Sequence, residues 1–221
     1  MKDVMGIEIE NLSAASAVRR VMGLLGREPL SICTVFRADM LLLAEKDEEY
    51  RGYLSRMALR LAGDEAILKA MGEERKERLD EIENHSFQIQ LLKELSEVNY
   101  TVAVLTETEP EKEKTMENLK RNYPSLPLAG AFSMETSDDM DDAVNHINGL
   151  DAELVIAKLP SPEQEAFIFS NRDRLNIRLW LGLGEASVAG EKKEKTAGFL
   201  ENLFLKRLFK KKVTQYQEEK N

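Results

Sequence analysis

Short apolar, β-branched runs alternate along the chain with longer stretches whose apolar residues recur every three or four positions. The runs at 5–9, 30–36, 57–61, 100–105, 126–132, 154–157 and 177–181 predict strands, and the stretches at 13–26, 38–56, 65–98, 108–122, 137–148 and from 161 onward predict helices. Ser13, Thr108 and Ser137 stand where N-caps belong, and Pro110 falls in a first turn, where its missing N–H does no harm. Strands alternating with helices of this length imply an α/β fold built on one parallel sheet flanked by helices. Right-handed crossovers then gather the loops that follow the strands along one edge, where ligands of open α/β sheets bind. Those loops are 37–39, 63–65, 106–109, 133–137, 161–165 and 182–187.

The tail differs in kind. From 197 to 212, Phe199, Leu200, Leu203, Phe204, Leu208 and Phe209 recur at helical spacing, while Lys206, Arg207, Lys210, Lys211 and Lys212 crowd the second half. This predicts a basic amphipathic C-terminal helix, an appendage over 196–221 to a domain over 1–195. Two readings share that pattern: a helix lying on an anionic membrane surface, and a helix docked on its own core with its lysines solvated.

Composition narrows the field. Forty acids against thirty-one bases give a net charge of −9, which argues against nucleic acid as a partner. A single cysteine, Cys33, rules out a disulfide framework, and with only His85 and His146 besides there is no Cys/His zinc set. No apolar run approaches the roughly 20 residues of a membrane span, and no signal peptide opens the chain, so a cytoplasmic location is expected.

Candidate chemistry concentrates in 153–175. An apolar run breaks at Pro160, and a helix is expected to restart with Ser161 at the N-cap and Pro162 at its first position. Glu163, Gln164 and Glu165 then occupy its first turn, at the carboxyl end of a strand. A polar triplet there suits a sugar or hydroxyl, although Ser161-x-x-Gln164 also reads as a capping box. Asp64, after Gly63 at another strand end, is either a general base or an N-cap. The acids at 138–142 look like a metal motif but sit where a helix dipole attracts acids. Gly182 and Gly184 form only a weak dinucleotide signal.

Taken in order, these pieces resemble the WecG/TagA/CpsF family of bacterial glycosyltransferases. The resemblance rests on Met5-Gly-Ile-Glu-Ile9, on the segment from Met40 to Asp47, and on Leu119-x-x-x-Tyr123-Pro124-x-Leu126 with Gly130. It continues through Ile147-Asn148, Ser161-Pro-Glu-Gln-Glu165, Asn171-Arg172, Gly182-Leu-Gly184, Ala189-Gly190 and the Leu200-to-Leu208 tail. It implies a Rossmann-like sheet and transfer of an N-acetylhexosamine, N-acetylmannosamine-like, from a UDP-sugar onto an undecaprenyl-diphosphate-linked sugar. It also implies inversion, no metal and no cofactor, and a place in wall teichoic acid or surface polysaccharide synthesis.

By the same resemblance Asp64 is the expected base and Gln164 the active-site glutamine. Glu165, Arg37, Gly182 and Gly184 are expected to bind substrate. The basic tail would meet the inner face of the plasma membrane, and a second copy or an active paralogue is a further partner. Several family positions differ: Val35-Phe36-Arg37 replaces Thr-x-Asn, Glu65 follows the aspartate, and Thr106-Glu107 replaces Gly-Gly. Lys158-Leu159-Pro160 replaces Gly-x-Gly, and Gly184-Glu185-Ala186-Ser187 replaces a longer glycine element. These changes keep open a second reading, a non-catalytic paralogue that scaffolds or regulates an active transferase.

Overall fold

A computed structural model describes residues 1–184, 188 and 199–220, with the backbone alone between 199 and 204. The chain opens with a hairpin of β1 (Lys2–Val4) and β2 (Ile7–Ile9), then α1 (Ala14–Leu25). A first βα half follows: β3 (Ser31–Phe36), α2 (Ala38–Ala44), α3 (Glu48–Ser55), β4 (Leu59–Ala62), α4 (Glu65–Ala70), α5 (Lys76–Glu83) and α6 (Ser86–Val98). The second half runs β5 (Val102–Thr106), α7 (Glu109–Asn122), β6 (Leu128–Ser133), α8 (Met140–Gly149), β7 (Leu154–Lys158), α9 (Glu163–Asn171) and β8 (Leu179–Gly182). The last element is α10 (Phe199–Lys220).

Six strands form one sheet in the order β4-β3-β8-β7-β5-β6, every neighbouring pair parallel, as the βα alternation predicts. Alternate strand residues face opposite layers. Ile32, Phe36, Ala103, Leu105, Val155, Ala157 and Trp180 pack with the hairpin, α2, α3, α4, α8, α9 and α10. Cys33, Leu59, Leu61, Val104, Leu154, Ile156, Leu179 and Leu181 pack with α1, α6 and α7. Burial pushes the Cys33 thiol up to about 12, so it is a core residue and no nucleophile.

Several local expectations change. The strand at 5–9 is a hairpin, because Met5 and Gly6 both take positive φ (53° and 84°) and reverse the chain. The helix at 38–56 splits at Asp47, whose carboxylate accepts from Tyr50 N (2.9 Å) and caps α3. The helical stretch at 65–98 is three helices, interrupted where Gly72 and His85 adopt positive φ. Ser137 does not cap α8; Asp139 does, accepting from Asp142 N (2.9 Å).

From residue 205 on, α10 lies on its own domain against α2 and α4. Phe209 and Val213 are buried there, and Lys212 pairs with Glu45 (2.7 Å). Lys220 pairs with Asp3 (2.9 Å), and the Tyr216 hydroxyl donates to the same carboxylate (3.3 Å). The apolar face of this half of the helix therefore belongs to the core. The side chains of Phe199, Leu200, Leu203 and Phe204 lie outside the described residues.

Candidate active site at the carboxyl edge of the sheet

The ends of β3, β7 and β8, near the middle of the sheet, open into a cleft of about 150 Å³. Arg37, Asp39 and Met40 line it from the β3 side, Pro160 and Ser161 from β7, and Leu183 and Gly184 from β8. Gly184 has φ +58°, a conformation that favours glycine. Arg37 is turned onto Asp39 through two hydrogen bonds of 2.8 and 3.3 Å.

Asp64 is the N-cap of α4. Its Oδ1 accepts from Ile67 N (2.8 Å) and its Oδ2 accepts from Ala38 N (2.7 Å), at the start of α2. One carboxylate thus holds the N-termini of two helices and sits one hydrogen bond away from the Arg37–Asp39 rim. Burial raises its pKa, outweighing the two amides that favour the charged form. Each oxygen keeps a second lone pair, so the capping role leaves proton transfer chemically open.

The turn before α9 departs from expectation. Ser161 is not the N-cap: Pro162 holds that place without a side-chain cap bond, and α9 begins at Glu163. Nor do Ser161 and Gln164 form a capping box. Ser161 faces Tyr50 and Glu165, while Gln164 Nε2 donates to Glu165 Oε1 (2.9 Å), both side chains fully buried.

Gln164 presses against β8 at Gly182. A Cβ on Gly182 would lie 2.6 Å from Gln164 Nε2 and 2.9 Å from Thr34 Oγ1, so the absent side chain is what admits the glutamine. Among the described residues five buried side-chain polar atoms lack a hydrogen-bond partner. Four gather here: Thr34 Oγ1, Gln164 Oε1, Glu165 Oε2 and the Tyr50 hydroxyl, which lies beside Ser161 and Glu165 without a bond of good geometry to either. Since native interiors satisfy nearly all such atoms, this concentration makes the cluster a candidate site. Thr34 and Tyr50 were not among the sequence candidates. A threonine inside the apolar run of β3 was the available signal; nothing local to Tyr50 pointed to it.

Other expected participants are occupied or elsewhere. Lys158, 3% exposed, pairs with Glu111 (2.9 Å) and donates to Thr115 Oγ1 (3.0 Å), so it faces α7. Glu107 is exposed and does not line the cleft. Glu185, Ala186, Ser187, Ala189 and Gly190 lie outside the described residues. Of the acids at 138–142, Asp139 and Asp142 serve the start of α8, and among the described residues no three His, Cys, Asp or Glu side chains converge on a metal position.

Burial, opposed by Gln164, Ser161 and Tyr50, also raises the pKa of Glu165 above the ordinary value near 4.5. The folded state then keeps a proton that the unfolded chain has released, so stability falls as pH rises from about 4.5 through the raised value. Glu165→Gln removes that penalty. Thermal melts should show the variant more stable than wild type at pH 8, with the difference shrinking towards pH 5; equal melting temperatures at both pH values would contradict the assignment.

The family model described as the glycosyl transferase WecG/TagA/CpsF family matches residues 2–209. No curated protein matches the chain.

Proposed function

Since the chain belongs to the WecG/TagA/CpsF family of glycosyl transferases, we propose that it moves an N-acetylhexosamine, N-acetylmannosamine-like, from a UDP-sugar to an undecaprenyl-diphosphate-linked sugar in cell-wall or surface polysaccharide synthesis. The inverting course without a metal is what the resemblance implies. The observation that carries a sugar ligand is the buried set of Thr34, Gln164, Glu165 and Tyr50 behind the cleft. It is rich in acceptors and suits a ligand bearing many hydroxyls. In the reaction, the acceptor O–H gives its proton to Asp64 as its oxygen bonds to the anomeric carbon. The bond from that carbon to the donor phosphate breaks, and UDP leaves with the electron pair. Gln164 orients the sugar, Arg37 would turn from Asp39 to the diphosphate, and Gly182 and Gly184 let the ligand approach the backbone. Calorimetry with UDP and with UDP-N-acetylglucosamine tests this: micromolar affinity is expected, and no binding to either overturns it.

A specific observation favours the second reading, a non-catalytic paralogue that scaffolds an active transferase. Arg37 is committed to Asp39 and Lys158 to Glu111, so these two cations already have acidic partners. The cleft is also smaller than the roughly 300–1,000 Å³ of common ligand sites. The same calorimetry decides, because this reading expects no nucleotide affinity.

No helix among the described residues is long and apolar enough to cross a membrane. Attachment to the inner leaflet would instead be electrostatic, since Phe209 and Val213 are already buried in the core. Lys206, Arg207, Lys210 and Lys211 are exposed, while Lys212 is tied to Glu45. Each basic residue near anionic lipid adds about 1 kcal/mol, screened by salt. Sedimentation with phosphatidylserine vesicles should show binding at low salt that disappears at high salt, and largely disappears when the five are changed to Gln. Of single changes, Lys212→Gln should have the least effect. Absence of binding at low salt removes the membrane role.

A further inference from the structure

Gln164 and Glu165 are adjacent in the first turn of α9, and neighbouring helical side chains ordinarily point about 100° apart. Here both turn inward and meet: Gln164 Nε2 donates to Glu165 Oε1 at 2.9 Å, with 1% and 0% of the two residues exposed. A primary amide has two ends of opposite character, and an amide without an anchor can present either one. The Glu165 oxygen takes the donor end. Gln164 Oε1 is left buried without a partner, on a side chain whose Nε2 lies against bare Gly182.

We infer that Glu165 is a positioning residue: it fixes the Gln164 amide so that its carbonyl oxygen is the group the site offers, and the ligand group it recognises is a hydrogen-bond donor, a sugar hydroxyl or an acetamido N–H. A phosphoryl oxygen, which only accepts, could not pair with that carbonyl oxygen. The sugar end of a nucleotide sugar, rather than its diphosphate, then lies at α9. This inference rests on the transferase reading for its ligand, but not for the role of Glu165.

The test follows the Gln164 side-chain amide by NMR in the ¹⁵N-labelled full chain, with Gln164→Met identifying the resonance. In wild type at least one Nε2 proton should exchange slowly. Glu165→Leu should speed that exchange about tenfold, the worth of one buried hydrogen bond. Glu165→Gln, whose own carbonyl can still accept, should keep it slow. Exchange at the free-amide rate in wild type overturns the inference even if Glu165→Leu fails to fold, as does an unchanged rate in a folded Glu165→Leu. Addition of UDP-N-acetylglucosamine should shift the protected amide without exposing it, whereas addition of UDP alone should leave it in place. A larger shift with UDP alone would overturn the sugar-side assignment. Protection without any ligand binding would sustain the positioning role while removing the transferase reading and the ligand with it.

Discussion

Gly63→Ala should destabilise the protein by about 2 kcal/mol or more and abolish transfer, the largest effect of any single methyl group at this edge. A Cβ at position 63 would lie 2.5 Å from Val35 Cγ1 and 2.7 Å from the Phe36 carbonyl oxygen. Neither can yield easily. Val35 is β-branched within a paired strand, and the Phe36 oxygen is held by Gly63 N–H at 2.7 Å. Relief requires β4 to move away from β3, and Asp64, the next residue, moves with it. Gly52→Ala is the control: it lies inside α3 with nothing within 4 Å of the added atom, so it should stabilise by roughly 0.5–1 kcal/mol. Denaturant midpoints of the two variants should therefore shift in opposite directions. A Gly63→Ala protein as stable as wild type would mean that the strand ends are looser than described.

Asp64→Asn should lower transfer by 10²–10⁴-fold, the usual contribution of a general base, while costing only about 1–2 kcal/mol of stability. The carboxylate accepts one backbone N–H on each oxygen, and asparagine can replace only one of those acceptors. Its amide nitrogen would face either Ala38 N–H or Ile67 N–H, so one helix start loses its partner. Asp64→Ala loses both and should be less stable still, by a similar increment. If catalysis depended only on the helix starts, activity would follow stability through the two variants. If Asp64 is the base, both variants are equally inactive although unequally stable. Full transfer by a folded Asp64→Asn protein removes Asp64 from the chemistry and leaves it as a cap.

Both predictions show how unevenly the sequence carried its information. The strands could be read because their buried cores, such as Val102–Thr106 and Leu154–Lys158, are short apolar runs in which every residue is covered. Their alternation with helices was enough for a parallel sheet, and the N-caps Ser13 and Thr108 carry the hydroxyls their positions call for. Helix interruptions were less visible. Asp47 looked like one more polar residue on a helix, and His85 takes the left-handed conformation in the middle of a helical pattern. The site was half legible: Asp64 and Gln164 stand at strand ends, where the fold places ligands, whereas Thr34 and Tyr50 join them from β3 and α3, far away in sequence.

Periodicity, composition and the order of motifs determined the fold class, the sheet edge that bears the candidate site and the family, because each of these depends on local spacing along the chain. The tertiary structure decided what each candidate side chain does, because that depends on which partner reaches it first. Ser161 fits a cap by spacing, yet it faces Tyr50 and Glu165. Lys158 stands at a strand end beside the candidate site, yet Glu111 and Thr115 hold it. The basic helix could have suited lipid or protein equally by its pattern, and the apolar surface of α2 and α4 claimed Phe209 and Val213. A hydrophobic stripe or a charge specifies the kind of partner a residue needs, and only packing selects which one it gets.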